Sequence, residues 1–129
     1  MTVVVGYIPN KYGEAALEAG ITEVRRRGGD LVVVNASRGD ALVDQKYLGE
    51  AGVADLERRL VGAAVPASVR HGLGSDVADA IIDAATEMGA ELVVIGVRRR
   101  SPVGKMLMGS VAQRVLLDAP CDVLAVKPG

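Results

Sequence analysis

The sequence predicts an α/β domain: a doubly wound, five-stranded parallel sheet in the order 3-2-1-4-5, with helices on both faces. Three observations predict it. Short, continuous β-branched runs recur along the chain, as expected for strands covered on both sides. Between them lie longer segments whose apolar residues repeat at three- and four-residue steps, the helical period. Each connection is long enough to hold a helix, so consecutive strands run parallel and right-handed crossovers leave few topologies.

The first strand is read in "TVVVGYI", Thr2–Ile8, and Pro9 ends it. Ala16, Leu17, Ile21 and Val24 mark a helix from Gly13 to Arg27. Arg25, Arg26 and Arg27 suit the negative end of its dipole, and Gly28 and Gly29 stop it. "DLVVVNA", Asp30–Ala36, is the second strand, and "SRGDALVDQKY" reads as a loop. Val53, Leu56 and Leu60 suggest a helix from Leu48 to Leu60, weakened by Gly49 and Gly52. "VPASVRH", Val65–His71, alternates as a third strand, and Pro66 places it at a sheet edge.

A helix follows from Asp76 to Met88, with Ser75 as its expected N-cap and Asp76 and Asp79 as favourable first-turn charges. "AELVVIG", Ala90–Gly96, is the fourth strand. The last helix is expected at Ser110–Leu117, before Pro120, and "CDVLAVK", Cys121–Lys127, is the fifth strand. The runs around Val4 and Val94 are candidates for the sheet centre. The 129 residues fit one domain over 1–129.

Composition excludes several classes of function. There is no Phe and no Trp, so the core is aliphatic and stacking on single-stranded nucleic acid has no platform. A net charge of −1 supplies no field toward DNA or an anionic membrane. No apolar run approaches the roughly 18 residues of a membrane span, and the N-terminus lacks the pattern of a signal peptide. Cys121 is the only cysteine, which excludes an internal disulfide framework and suits a reduced, cytoplasmic protein. His71 is the only histidine, so a histidine-cluster metal site is excluded. No acid–base pair or nucleophile triad is readable, and Cys121 has no neighbouring base to activate it.

The chemistry concentrates in "GVRRRSPVGKMLMGS", Gly96–Ser110. In the strand order above, the crevice lies between strands 1 and 4, and this segment follows strand 4. Gly109 and Ser110 open the last helix, where free amides and the helix dipole favour an anion. Ser110 is either a simple cap or a donor to phosphate. The segment is no Walker loop: Lys105 is followed by Met106, and Arg99 stands where the first glycine is due. The glycines of a dinucleotide fingerprint are absent after strand 1, where the chain reads "YIPNKYG". The arginine triplet is either a solvated loop, the commoner fate of such runs, or a set of charge-assisted phosphate contacts. Met106, Leu107 and Met108 form a short apolar patch beside it, either core, a lid, or a contact surface.

From "VVIGVRRRSPVGKMLMGSVAQRVLLDAPCDVLAVKP" outward, essentially the whole chain resembles the universal stress protein family. The family's nucleotide binders share Gly-x2-Gly-x9-Gly-Ser/Thr after strand 4. Gly96 matches its first position and Gly109–Ser110 its last pair. Arg99 departs from the second glycine, and Ile8 from the aspartate that ends strand 1 in family ATP binders.

The resemblance implies a regulatory module. In it a nucleoside would contact Gly6, Tyr7, Ile8, Ala36 and Ile95, and the phosphates Gly96, Arg98, Arg99, Gly109, Ser110 and Val111. It further implies ATP or another adenine nucleotide as the ligand, with or without magnesium, and a homodimer formed through the C-terminal strand. Pairing there would also cover an exposed sheet edge. The alternative is a dimeric interaction protein of the same fold that holds no nucleotide, which Ile8 and Arg99 favour.

Overall fold

The computed structural model describes residues 1–37, 48–73, 76–98 and 109–129. The order is β1 (Thr2–Gly6), α1 (Lys11–Arg27), β2 (Asp30–Ser37), α2 (Glu50–Gly62), β3 (Ala67–Leu73), α3 (Val77–Met88), β4 (Leu92–Gly96), α4 (Ser110–Asp118) and β5 (Asp122–Val126). The strands form one parallel sheet in the order β3-β2-β1-β4-β5. That is the architecture and strand order the sequence predicts.

Two aliphatic layers flank the sheet because successive strand residues point to opposite faces. Val3, Val5, Leu31, Val33 and Val94 pack with Leu17, Val24, Leu56 and Leu60 of α1 and α2. Val4, Val32, Val34 and Val93 pack with Ala78, Ile81, Ala85 and Val115 of α3 and α4. Cys121 joins this second layer as a small, partly buried hydrophobe. Burial is the main reason its thiol titrates above the usual range, and the Asp122 charge adds to it. Among the described residues no helix is long and apolar enough to cross a membrane.

Several boundaries differ from expectation, each for a local reason. β1 stops at Gly6 rather than Ile8. The Tyr7 amide still donates to the Val34 carbonyl, but the Asn10 amide then donates to the Ile8 carbonyl and turns the chain into α1. The Asn10 carboxamide accepts from the Tyr12 and Gly13 amides and starts α1 two residues before the expected Gly13.

α2 begins at Glu50, not Leu48. Leu48 is buried below the helix, its amide donating to Asn35 and its carbonyl accepting from His71 Nε2. β4 begins at Leu92 instead of Ala90, because the Ala90 amide bonds back to Ala85 at the end of α3. α3 is capped by Asp76, whose carboxylate accepts from the Asp79 amide, so Asp76 takes the role expected of Ser75. Ser75 itself, residues 38–47 (most of the expected loop) and residues 99–108 (with Arg99, Arg100, Lys105 and Met106–Met108) lie outside the described residues.

Two glycines admit the first turn of α1 to the sheet. A Cβ on Gly13 would overlap the Ile8 carbonyl, and one on Gly96 would overlap the carbonyl of Tyr12. Both obstacles are backbone, which cannot rotate away. Gly13→Ala should therefore lower the unfolding free energy by about 3 kcal/mol, the upper range for overpacking. Gly62→Ala, at the end of α2 with open space around it, should be neutral or slightly stabilising. Urea titrations of the two variants check the contrast.

Candidate functional site at the carboxyl ends of β1 and β4

A crevice of about 320 Å³ opens where β1 and β4 diverge, the switch point at which open α/β sheets hold their ligands. Of the residues expected there, Gly6, Tyr7, Ile8, Ile95, Gly96, Arg98, Gly109, Ser110 and Val111 all line it. Ala36 does not. It lines a separate depression of about 170 Å³ beside β2 and β3, with Arg70, Ala80 and Asp83. Arg99 lies outside the described residues. The crevice also recruits Asn10, Tyr12, Gly13, Val77, Ile81, Val97 and Ala112, which the motif alone did not single out. The positions of Val77 and Ile81 one turn apart at the start of a helix were the only available signal.

The lining is divided by chemistry. Ile8, Val77, Ile81, Ile95 and Val97 make an aliphatic wall, while Arg98 and the opening of α4 supply positive potential. Gly6 belongs to the wall: a Cβ there would stand 2.7 Å from Ile81 Cδ1.

Three helices begin at this crevice, and their termini differ. Asn10 caps α1 and Asp76 caps α3. α4 starts behind Gly109, with no side-chain cap, and its first intrahelical bond runs from the Gln113 amide to the Gly109 carbonyl. Among the described residues the amides of Ser110, Val111 and Ala112 therefore have no side-chain acceptor. Ser110 occupies the first helical position rather than the cap, so the reading of Ser110 as a simple cap is corrected.

The two conspicuous glycines of the motif also separate. Gly96 is required by the main chain of Tyr12. Gly109 has φ −62°, open to any residue, and a Cβ there would meet no described residue within 4 Å.

Around the crevice, the polar groups satisfy one another. Asn35 is fully buried and donates from Nδ2 to the Tyr7 carbonyl at 2.9 Å while its Oδ1 accepts from the Leu48 amide at 3.0 Å. The Tyr7 hydroxyl donates to Glu14 at 2.6 Å, and Arg59 of α2 grips the same carboxylate at 2.5 and 3.0 Å. The Arg59 hydrogen bonds hold the Glu14 carboxyl below its ordinary range, with Tyr7 adding to the effect. Burial first, then Glu14, pushes the Tyr7 phenol above its own. On α4, Arg114 pairs with Asp76, Asp79 and Asp118, tying the last helix to the start of α3. Asp76 and Asp79 are thus structural charges, and no group of three or more metal-ligating side chains occurs among the described residues.

Comparison with known proteins decides the family. The model of the universal stress protein family matches residues 1–127. The chain belongs to the universal stress protein family. It is 48% identical over 126 residues to a universal stress protein of Mycolicibacterium smegmatis, covering 98% of this chain and 97% of that one. Among solved structures, it resembles a universal stress protein of Archaeoglobus fulgidus with a TM-score of 0.81 and 28% identity, over 98% of both chains. It also resembles a universal stress protein crystallised in complex with cAMP, with a TM-score of 0.72 and 26% identity, over 100% of this chain and 98% of that one.

The depressed pKa of Glu14 has a sign that can be tested. A carboxyl depressed in the folded state contributes stability above its unfolded pKa of about 4.3, and that stability disappears as pH falls through the lower folded value. Glu14→Gln should cost about 1 kcal/mol near pH 7, the scale of a partly exposed pair. The gap to the parent protein should close below about pH 4. Melting temperatures of both proteins from pH 3 to pH 7 check it.

Proposed function

We propose that this universal stress protein is a nucleotide-binding regulatory module that takes an adenine nucleotide, ATP or a relative with or without magnesium, in the β1/β4 crevice. The observation that carries the reading is the uncapped start of α4 beside Arg98, facing an aliphatic wall. Unpaired amides and a helix dipole hold an anion, and the apolar wall suits a flat base. The volume lies at the lower end of small-ligand sites, roughly 300–1,000 Å³. The complex of a family member with cAMP supports the same ligand class.

Gly109 provides the test, because the backbone there admits any residue and a Cβ would meet no described residue within 4 Å at the start of α4. Gly109→Val should keep the circular dichroism spectrum and the ligand-free melting temperature, and lose nucleotide binding in calorimetry. The parent protein should melt higher with AMP or ATP and magnesium, since a ligand at one hundred times its Kd adds about 2.7 kcal/mol. The absence of both heat and melting shift at millimolar nucleotide would leave the interaction-protein reading, which Ile8 in the crevice wall favours.

The module works as a homodimer joined through β5. β5 is an outer strand with no charge between Val123 and Val126, and Leu116 and Leu117 are exposed on the neighbouring helix. Such an edge needs cover. The single partly buried thiol suits the reducing cytoplasm. The Val126 carbonyl accepts from the amide of Val97, the residue that follows β4. In a parallel strand the polar groups of one residue point the same way, so those of Ala125 point to the free edge. Ala125→Pro therefore removes an outward amide and leaves the internal ladder intact. It should convert the dimer to a folded monomer in sedimentation; an unchanged dimer would place the interface elsewhere.

A further inference from the structure

Tyr12 has no role in the motif that drew attention to the crevice, yet it stands in the wall. Its main chain is fixed twice: the amide donates to the Asn10 cap, and the carbonyl lies directly against Gly96. The residue is therefore held at the β4 side of the crevice, the side that carries Arg98. Its ring is half-buried, and Lys11 Nζ lies 5.3 Å from the ring centroid.

The two tyrosines of the site differ in one respect. The Tyr7 hydroxyl is committed to Glu14. The Tyr12 hydroxyl makes no hydrogen bond among the described residues. A phenol carried on a fixed main chain at the crevice wall, without a partner among the described residues, is a donor available to a ligand oxygen. The adjacent ammonium makes an anionic oxygen the favoured acceptor.

We propose that Tyr12 is a ligand-contacting residue of the crevice, its hydroxyl donating to a phosphate oxygen of the bound nucleotide, with Lys11 as the associated cation. This rests on the nucleotide reading above and names a contact within it. It makes the phosphate end of the site two-sided, with amides of α4 on one wall and the first turn of α1 on the other.

The probe is AMP, measured by calorimetry against the parent protein, Tyr12→Phe and Lys11→Gln. Tyr12→Phe keeps the ring and removes only the hydroxyl, so the ligand-free melting temperature should not move. Its Kd for AMP should rise about tenfold, the scale of a hydrogen bond to a charged group. Lys11→Gln should flatten the salt dependence of binding, because one fewer cation meets the anion. Tight AMP binding by the parent protein, with Tyr12→Phe within twofold of it, would overturn this inference and leave the nucleotide reading standing. Failure of the parent protein to bind either AMP or ATP with magnesium would overturn both.

Discussion

The first turn of α1 rests on the ends of β1 and β4 with backbone against backbone, and the architecture of the crevice depends on that contact. Gly13 admits the Ile8 carbonyl and Gly96 admits the Tyr12 carbonyl. A side chain at either glycine would push the helix outward and open the floor between the two strands. With the helix seated, Ile8 and Tyr12 become walls of one cavity and the β1/β4 switch point becomes a bounded site. Asn10 completes the arrangement by satisfying the amides exposed where the chain turns.

Around that contact, the protein disposes of its polar groups in a consistent way. Where the β1 ladder ends, the buried Asn35 carboxamide replaces the missing strand partner for Tyr7 and anchors Leu48 at the same time. Leaving either group unpaired in the interior would cost about 1–3 kcal/mol. On the α1–α2 side, Glu14 joins Tyr7 to Arg59; on the α3–α4 side, Arg114 joins three aspartates. These ion pairs are exposed, so they orient helices more than they stabilise them. Against this background the α4 amides and the Tyr12 hydroxyl stand out as donors at the crevice with no side-chain acceptor among the described residues.

The legibility of the chain follows the range of the interactions involved. The strands built from Val3–Val5, Leu31–Val34 and Leu92–Ile95 were readable because burial on both faces demands aliphatic residues without a break. Most of the crevice was readable too, since in a parallel sheet the loops after strands 1 and 4 must meet at the switch point. Ala36 lines the second of two depressions, because among the described residues the neighbouring strand ends open separately. Tyr12 was missed because nothing in "NKYG" indicates which way a first-turn side chain faces. Ser75 and Asp76 are both good caps, and only the geometry of the turn chose Asp76.

The order of elements, the parallel sheet and its 3-2-1-4-5 arrangement were legible in the sequence alone, because hydrophobic period and crossover length are properties of contiguous residues, and the resemblance to the family was carried by Gly96 and Gly109–Ser110. Tertiary structure alone decided which glycine serves packing and which faces open space, and which of three helix starts is left uncapped. Those outcomes depend on what another segment of chain brings within hydrogen-bonding or van der Waals reach, and that distance is set only when the helices seat on the sheet.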